Sequence, residues 1–302
     1  MYQTELTYKS KDTEEFIDRA FYRPVGYFVA IVSAKLKLTP NSLTVFSILI
    51  GIIGSLFFMY SEVTAAITGI LLLIISDIFD SADGQLARIS GKSSKFGRIL
   101  DGLGGNIIFF SIYTVFSFRL ISNGYGSAVI LAAVVSALSH SLQASLADYY
   151  RNIYVYYGLD KNKSELDNSE GVRIRYNSFS WRKSFFKKFV LLLYLTYTIE
   201  QEMLSKPYLL FRDFVSKSNE EIPIGLKNEF ITQLRPMIKY YNFLTMNSRV
   251  IAIAVCALIN KHLYYFLFEI VFMNIVLVWV LILHRVKFSI LLSKLIKSRQ
   301  ID

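Results

Sequence analysis

The sequence predicts an all-α integral membrane protein of about six transmembrane helices, with an N-terminal amphipathic helix and a helical cytoplasmic or interfacial insertion between spans four and five. Hydrophobic residues make up 53% of the 302-residue chain, a share above that of an ordinary soluble domain. They are concentrated in apolar segments separated by polar turns, and most of these segments are long enough to cross roughly 30 Å of hydrocarbon. The pattern therefore favours a chain that crosses the bilayer several times.

The charge balance indicates an anionic membrane surface as the first partner, because a formal net charge of +10 accompanies this apolar composition. No nucleic acid partner is expected, since no basic stripe is interleaved with stacking aromatic residues. The single cysteine, Cys256, lies in an apolar run and excludes a disulfide framework within the chain. The three histidines are too few and too scattered for a histidine-based zinc site.

Residues 1–41 are predicted to form an N-terminal interfacial segment. The first twenty residues are polar and charged, unlike a signal peptide. Apolar residues then recur at helical spacing, which predicts an amphipathic helix on the membrane interface, broken near Pro24. A helix packed on the protein's own loops is the alternative. The residues of this apolar face are Phe16, Ala20, Phe21, Val25, Phe28, Val29 and Val32.

Residues 42–150 are predicted to hold four membrane spans, and residues 248–302 are predicted to hold two more with a basic tail. The first span begins at a Pro40-Asn41 turn, where Asn41 or Ser42 can cap a helix. The fifth span is short, at Val250–Ile259, and the sixth is Tyr264–Leu283. The first four segments are Ser42–Tyr60, Glu62–Arg88, Asp101–Leu120 and Ala128–Tyr150.

Residues 151–247 are predicted to form the insertion. Its stretch 159–183 is polar and is expected to be a loop. Ser184–Met203 is expected to be an interfacial helix, because its uncharged run Phe189–Ile199 is too short to cross a bilayer. Two roles are open for the insertion: it covers the site and selects the acceptor, or it is a plain structural cap.

Lysine and arginine are distributed so that both termini are predicted to be cytoplasmic. The N-terminal arm, the loop at Arg88–Arg98, the insertion and the C-terminal tail are basic, whereas the turns at Tyr60–Glu62 and Ser122–Gly126 carry neither residue type. Positively charged loops remain on the cytoplasmic side of a membrane. The sequence thus predicts a multi-pass protein, in the plasma or inner membrane if it is bacterial.

The segment from Asp80 to Asp101 carries the strongest functional signal, because acidic residues are costly within membrane helices and mark functional sites there. If one helix continues through Arg88, residues at offsets 0, 3, 4, 7 and 8 from Asp80 share a face. Two carboxylates one turn apart repel unless a cation lies between them or one is protonated. Such oxygen ligands suit Mg²⁺ or Mn²⁺. The shared face consists of Asp80, Asp83, Gly84, Ala87 and Arg88, and Asp101 follows after a hairpin through Gly91 and Gly97.

This pattern resembles the signature of the CDP-alcohol phosphotransferase family, D-x-x-D-G-x-x-A-R, eight residues, G-x-x-x-D-x-x-x-D. The chain matches it from Asp80 through Arg88 and again at Gly97 and Asp101. It departs at the last position, where the family has aspartate and this chain has Gly105. The alternative is a structural cluster of buried carboxylates neutralised by arginines, which does not explain the glycines.

The departure at Gly105 puts the catalytic base in doubt, since the family's last aspartate is a metal ligand and the proposed base. Glycine offers neither function, and Asn106 offers a carbonyl ligand but no base. Three interpretations are open. Metal coordination alone acidifies the acceptor hydroxyl, another group acts as the base, or transfer activity has been lost.

Span four carries two polar rows that would be costly to expose to lipid. They predict either interhelical hydrogen bonds or a pocket for the acceptor head group. His140 is the candidate for the missing base, with Asp148 second, and Arg151 is a candidate phosphate ligand. One row is His140, Ala144 and Asp148, and the other is Gln143, Ala147 and Arg151.

The resemblance implies a metal-dependent transferase of phospholipid synthesis that moves a phosphatidyl or phospho-alcohol group from a CDP-alcohol to an acceptor hydroxyl and releases CMP. The partners would be CDP-diacylglycerol or a CDP-linked head group, an alcohol acceptor and membrane lipids, with a homodimer left open. The alternative is a non-catalytic member that binds a CDP-lipid or metal. The implied metal ligands are Asp80, Asp83 and Asp101, the catalytic candidates are Asp101 and His140, and the CDP-binding candidates are Gly84, Ala87, Arg88 and Gly97.

Overall fold

Helices dominate the structure, a computed structural model that describes residues 12–91, 95–161, 166–217 and 223–301, together with Ser10 and Ser164. Within these residues, six candidate spans are long and apolar enough to cross a membrane. The prediction of an all-α integral membrane protein with about six spans is therefore confirmed.

The chain divides into two compact units. The first comprises Glu14–Ser141 and Thr245–Met273, and it contains the aspartate-rich segment. The second comprises Leu142–Leu244 and Asn274–Asp302 with the short segment Lys9–Thr13. The domain boundaries predicted from the sequence remain a prediction.

The N-terminal helix continues past Pro24 instead of breaking there. Proline has no N–H to donate to the carbonyl four residues earlier, and the chain forms a π-helical turn at Asp18–Tyr22, in which the Arg23 N–H donates to the Asp18 carbonyl. Helix α1, Arg23–Lys35, follows directly. Its outer face exposes apolar side chains such as Phe28, 68% exposed, as an amphipathic interfacial helix requires.

Four long helices follow, and they differ from the predicted segments mainly at their ends. Thr39, rather than Asn41 or Ser42, caps the first of them, because its side chain accepts a hydrogen bond from the Ser42 N–H. A left-handed residue, Gly91 with φ +64°, precedes the third of these helices. Because that helix begins at Lys95, Asp101 lies in its second turn rather than at its start. The helices are α2 Pro40–Phe57, α3 Val63–Ile89, α4 Lys95–Ser122 and α5 Ala128–Tyr154, which ends in a π-helical turn at Val155–Leu159.

Helices α2 and α3 pack closely because glycines meet at their crossing. A Cβ added to Gly69 would lie 2.8 Å from the Gly54 carbonyl oxygen, and one added to Gly54 would lie 3.1 Å from the Gly69 carbonyl oxygen. Nearer the site, the Ser47 and Ser76 hydroxyls are 3.2 Å apart. Small residues at a membrane-helix contact permit this approach of the backbones, which aligns α2 with the aspartate-bearing half of α3.

The segment between spans four and five is more regular than its composition predicts. A helix lies inside the stretch 159–183 that was expected to be a loop, because Asn168 caps it by accepting from the Gly171 N–H and Val172 is fully buried. The fifth candidate span, Ile224–Leu258, begins inside the predicted insertion. The helices are α6 Ser169–Ser178, α7 Phe185–Leu204, α8 Lys206–Lys217 and α9 Ile224–Leu234.

Further helices complete the chain, and those within residues 246–267 contribute to the core of the first unit. There, Phe116 of α4 packs edge-on against Tyr265 with ring centroids 5.6 Å apart, and Ile253 is fully buried. The last candidate span is His262–Lys297. The remaining elements are a 3-10 turn at Arg235–Met237, α10 Ile238–Phe243, α11 Met246–Leu258, α12 His262–Leu267, a π-helical turn at Phe268–Phe272 and α13 Met273–Ile301.

Candidate metal centre

Three carboxylates converge in the first unit from two helices. Asp80 and Asp83 lie one turn apart near the end of α3, and Asp101 reaches them from the second turn of α4. One carboxylate oxygen from each residue lies within 4.8 Å of the other two. Asp83 is buried and the other two are half-buried. The structure therefore brings together the three residues that the sequence predicts as metal ligands.

This arrangement fits a divalent cation. Like charges this close repel strongly in a partly buried site unless positive charge or protons compensate them. Mg²⁺ and similar ions bind oxygen at about 2.0–2.1 Å, so oxygens on opposite sides of one ion are separated by about 4 Å. The observed spacing of the three oxygens, up to 4.8 Å, is compatible with one ion or with two ions bridged by carboxylates. All donors are hard oxygen atoms, which favour Mg²⁺ or Mn²⁺ over softer metals.

Thr44 of α2 orients one of these carboxylates. Its hydroxyl donates a buried hydrogen bond of 2.5 Å to Asp83 Oδ2, and the Gly84 backbone N–H also donates to Asp83. Such partners hold a ligand in place for a metal. The turn before α2 predicts only where the helix begins, and the sequence pattern gives Thr44 no role. Its position four residues after Pro40, at the start of the second turn of a helix that packs on α3, was the available signal.

Two of the predicted CDP-binding residues, Gly84 and Arg88, adjoin Asp83. A Cβ added to Gly84 would lie 3.5 Å from an Arg88 guanidinium nitrogen, so the absence of a side chain at 84 leaves room beside the Arg88 head group. The positive charge of Arg88 interacts with Asp83. Ala87 and Gly97 are both half-buried, and Ala87 lies on the same turn of α3 as Arg88.

A fourth acidic residue extends the cluster along α3. Asp77 is buried one turn before Asp80, and its charge interacts with Asp80. The Tyr22 hydroxyl lies beside it. Burial and the Asp77 carboxylate raise the pKa of Tyr22, so this phenol stays protonated. The N-terminal arm thus reaches the helix that carries the metal ligands.

Position 105, where the family signature has its last aspartate, opens on free space. Gly105 lies one turn after Asp101, and a Cβ built on it would meet no atom within 4 Å. The neighbouring Asn106 is exposed, and its side-chain amide donates 3.2 Å back to the Gly102 carbonyl. The Asn106 side chain is therefore engaged with its own helix.

His140 of α5 contacts α4 at positions far along that helix from Asp101. Its Nδ1 is 3.0 Å from the Tyr113 hydroxyl, and its ring packs edge-on against Phe109 with centroids 4.1 Å apart. These two residues follow Asp101 by 8 and 12 positions, which corresponds to about 12–18 Å along the helix axis at 1.5 Å per residue. The contacts of His140 are those of an interhelical hydrogen bond, and its predicted role as the base stays a prediction.

The remaining members of the two polar rows on α5 also have partners inside the protein. Gln143 donates 2.9 Å to Asn274 of α13. Asp148 pairs with Arg151 at 3.5 Å and accepts a hydrogen bond from Asn152 at 3.1 Å. These contacts favour interhelical and local hydrogen bonding, the first of the two explanations that the sequence left open.

Comparisons with known proteins agree with this geometry. The family model described as CDP-alcohol phosphatidyltransferase matches residues 37–163. The chain is 41% identical over 69 residues to an archaetidylinositol phosphate synthase of Pyrococcus horikoshii, an alignment that covers 22% of this chain and 35% of the relative. The range matched by the family model includes α2–α5, and hence all three converging carboxylates.

Two further relatives share one description with each other. A bifunctional IPC transferase and DIPP synthase of Thermococcus kodakarensis is 28% identical over 141 residues, covering 46% of this chain and 32% of the relative. Its counterpart from Aquifex aeolicus is 36% identical over 105 residues, covering 35% and 23%. The alignments thus span about a third or less of the curated relatives. Residues 37–163, which bear the aspartate cluster, therefore match the CDP-alcohol phosphatidyltransferase family model.

Proposed function

We propose that the protein is a metal-dependent transferase that moves a phosphatidyl or phospho-alcohol group from a CDP-alcohol to an acceptor hydroxyl and releases CMP. The observation that carries this proposal is the convergence of Asp80, Asp83 and Asp101, with oxygens within 4.8 Å of one another, inside the matched domain. A divalent ion on a diphosphate neutralises the charge of the leaving nucleotide and polarises the phosphorus.

The chain's own residues would bind and orient the donor. Asp80, Asp83 and Asp101 would hold Mg²⁺ or Mn²⁺, with Thr44 fixing the Asp83 carboxylate. Gly84 and Ala87 leave space for the CDP group near the backbone of α3. The Arg88 guanidinium would stabilise negative charge on the phosphates.

The geometry favours activation of the acceptor by the metal over a distant base. No carboxylate is available at Gly105, and the described contacts of His140 are about 12–18 Å from Asp101 along α4. A hydroxyl coordinated to a divalent ion loses its proton more readily than in water. When bound, the ion would supply the acidity that activates the acceptor hydroxyl, and Asp80, Asp83 and Asp101 would hold that ion.

Names of the relatives suggest the acceptor class. One is a synthase of archaetidylinositol phosphate. We therefore propose an inositol phosphate as the first acceptor to test, with CDP-diacylglycerol as the first donor and a CDP-linked head group as the second. We further propose that both termini are cytoplasmic, which would place the aspartate cluster on the side where nucleotides are found; homodimer formation stays a prediction.

The alternative is a member of the family that binds a CDP-lipid or metal without transferring the group. The open space at Gly105 is the observation that favours it, because the family's proposed base would stand there.

CMP release by the purified protein in detergent distinguishes the transferase from the non-catalytic alternative. The protein is given Mn²⁺ and CDP-diacylglycerol or CDP-ethanolamine, with inositol phosphate, inositol, glycerol phosphate and serine as acceptors. We expect acceptor-dependent release that Asp83→Asn abolishes and that the control Asp213→Asn, at an exposed residue of α8, retains. Release unaffected by Asp83→Asn would contradict the proposal, and saturable CDP-diacylglycerol binding without release from any pair would favour the non-catalytic alternative.

A further inference from the structure

A strongly cationic segment lies outside the candidate spans. Between Glu170 and Glu200 the chain contains no acidic residue but six cations. This segment covers α6, the connection to α7 and most of α7, and α7 is not among the spans identified in the described residues. The six cations are Arg173, Arg175, Arg182, Lys183, Lys187 and Lys188.

The segment is folded rather than a solvated tail. Lys188 donates 2.7 Å to the Phe179 carbonyl, and its ammonium lies 4.5 Å from the Tyr176 ring centroid and 5.7 Å from that of Trp181. Arg175 pairs with Asp167 at 2.9 Å. These contacts hold the connection between α6 and α7 in one conformation and use two of the six cations.

Large apolar rings project from the same stretch. Phe185 is 65% exposed, Phe186 59% and Trp181 40%, whereas Val190 and Leu195, farther along α7, are buried. Arg182, Lys183 and Lys187 are also exposed. These rings and cations form a surface that we call the aromatic-basic patch. It consists of six residues: Trp181, Arg182, Lys183, Phe185, Phe186 and Lys187.

We propose that the aromatic-basic patch inserts its rings among lipid head groups and selects anionic lipids. Exposed rings beside cations are the composition of a surface that lies in the membrane interface. The charge is uniformly positive, which complements an anionic leaflet. Because the same chain crosses the bilayer, the patch is tethered close to that surface. The Trp181 and Phe185 rings, with centroids 5.5 Å apart, form an exposed apolar surface of the kind that marks an interaction site.

Tryptophan fluorescence measures the contact directly in the full chain. The protein has two tryptophans, so Trp279→Phe leaves Trp181 as the only one. This variant is placed in nanodiscs that contain an equal mole fraction of lipid brominated near the head of the acyl chains, either phosphatidylglycerol or phosphatidylcholine. We expect brominated phosphatidylglycerol to quench Trp181 at least about twofold more strongly, with little quenching by aqueous acrylamide.

Two triple variants test the role of the cations. Replacing Arg182, Lys183 and Lys187 by alanine should make the two brominated lipids quench equally. A matched triple that removes the same charge at exposed lysines elsewhere should leave the preference for phosphatidylglycerol unchanged. The matched positions are Lys206, Lys239 and Lys261.

Other outcomes overturn the proposal. Strong acrylamide quenching with no lipid quenching would show that the patch faces water or a soluble partner. A lipid preference that survives loss of the three patch cations, or that the matched triple removes as well, would show that the patch does not select anionic lipid.

Discussion

Gly105, where the family signature has aspartate, is the single-residue difference from that signature with the largest chemical consequence. Gly105 stands one turn after Asp101, in space that a Cβ would enter without contact. A carboxylate at this place would have both a metal and an acceptor hydroxyl within reach, if the cluster works as proposed. The chain thus has room for the group that it lacks.

Gly105→Asp should therefore raise the rate of CMP release, because a positioned general base contributes about 10²–10⁴-fold and the open space allows the side chain without displacing neighbours. We expect at least about a tenfold gain in kcat. Gly102→Asp, at an exposed position of the same helix with equal space, adds the same charge off the Asp101 face and is the control. An equal effect of both substitutions would argue against a vacant base position.

His140→Ala should leave the shape of the pH–rate profile unchanged while lowering thermal stability. The Tyr113 hydroxyl would lose its buried partner, at a cost of about 1–3 kcal/mol, whereas no group that touches the donor would change. Kinetics from pH 5.5 to 8.5 and thermal unfolding of the same preparations measure both effects. Disappearance of one limb of the profile would instead identify His140 as the base.

Helical spacing predicted that Asp80 and Asp83 share a face, since an offset of three depends only on helical periodicity. The hairpin and the family signature predicted that Asp101 joins them. These patterns did not predict the hydrogen bond from Thr44 to Asp83. That contact depends on how α2 crosses α3, which local sequence does not encode. The same limit applies to His140, whose partner Tyr113 lies on another helix.

At the level of helices, the crossing of α2 and α3 depends on two glycines. Gly69→Ala should destabilise the protein, because the new Cβ would lie 2.8 Å from the Gly54 carbonyl oxygen and 2.8 Å from the Phe58 ring. Backbone atoms cannot move aside as a flexible side chain can, so we expect a loss of about 1–3 kcal/mol. Thermal unfolding in detergent measures it.

Gly102→Ala is the matched control for this prediction. Its Cβ would meet nothing within 4 Å, and alanine is favoured over glycine in a helix by about 1 kcal/mol. This variant should be as stable as the parent or more stable. If both alanine substitutions destabilise equally, the close packing at Gly69 is not what holds α2 and α3 together.

Apolar length predicted the first four spans closely because their polar turns are short and distinct. It failed for the fifth, which begins at Ile224. There, buried Leu226, Phe230 and Leu234 recur every four residues, but lysine, asparagine and glutamine occupy the other faces and dilute the apolar run. Periodicity, rather than mean composition, was the signal in this helix.

At the scale of the whole molecule, the main feature of the first unit is a fully buried ion pair between two consecutive candidate spans. Arg249 of α11 and Glu269 lie 3.1 Å apart with no side-chain exposure. Arg249 also donates 2.9 Å to the Thr245 carbonyl, and the Tyr265 hydroxyl donates 3.4 Å to Glu269. The pair therefore joins candidate spans five and six in the interior.

Arg249→Met alone should cost about 3–5 kcal/mol, because it leaves the Glu269 carboxylate buried without its counter-ion. Combining it with Glu269→Met should recover most of that loss, since two apolar side chains of similar size remove both charges. Thermal unfolding of the two single variants and the double variant gives the interaction energy. A double variant whose loss equals the sum of the two single losses would contradict the pairing.

The most direct test of the central claim is a measurement of Mn²⁺ binding. Electron paramagnetic resonance of the free ion measures this binding while the protein is titrated. The account predicts saturable binding that Asp101→Asn weakens by at least about tenfold, because this substitution replaces one of three carboxylate ligands by a neutral amide and removes one negative charge. The control Asp213→Asn should bind as the parent does. Parental Mn²⁺ affinity in Asp101→Asn would contradict the claim that these three carboxylates form the metal centre.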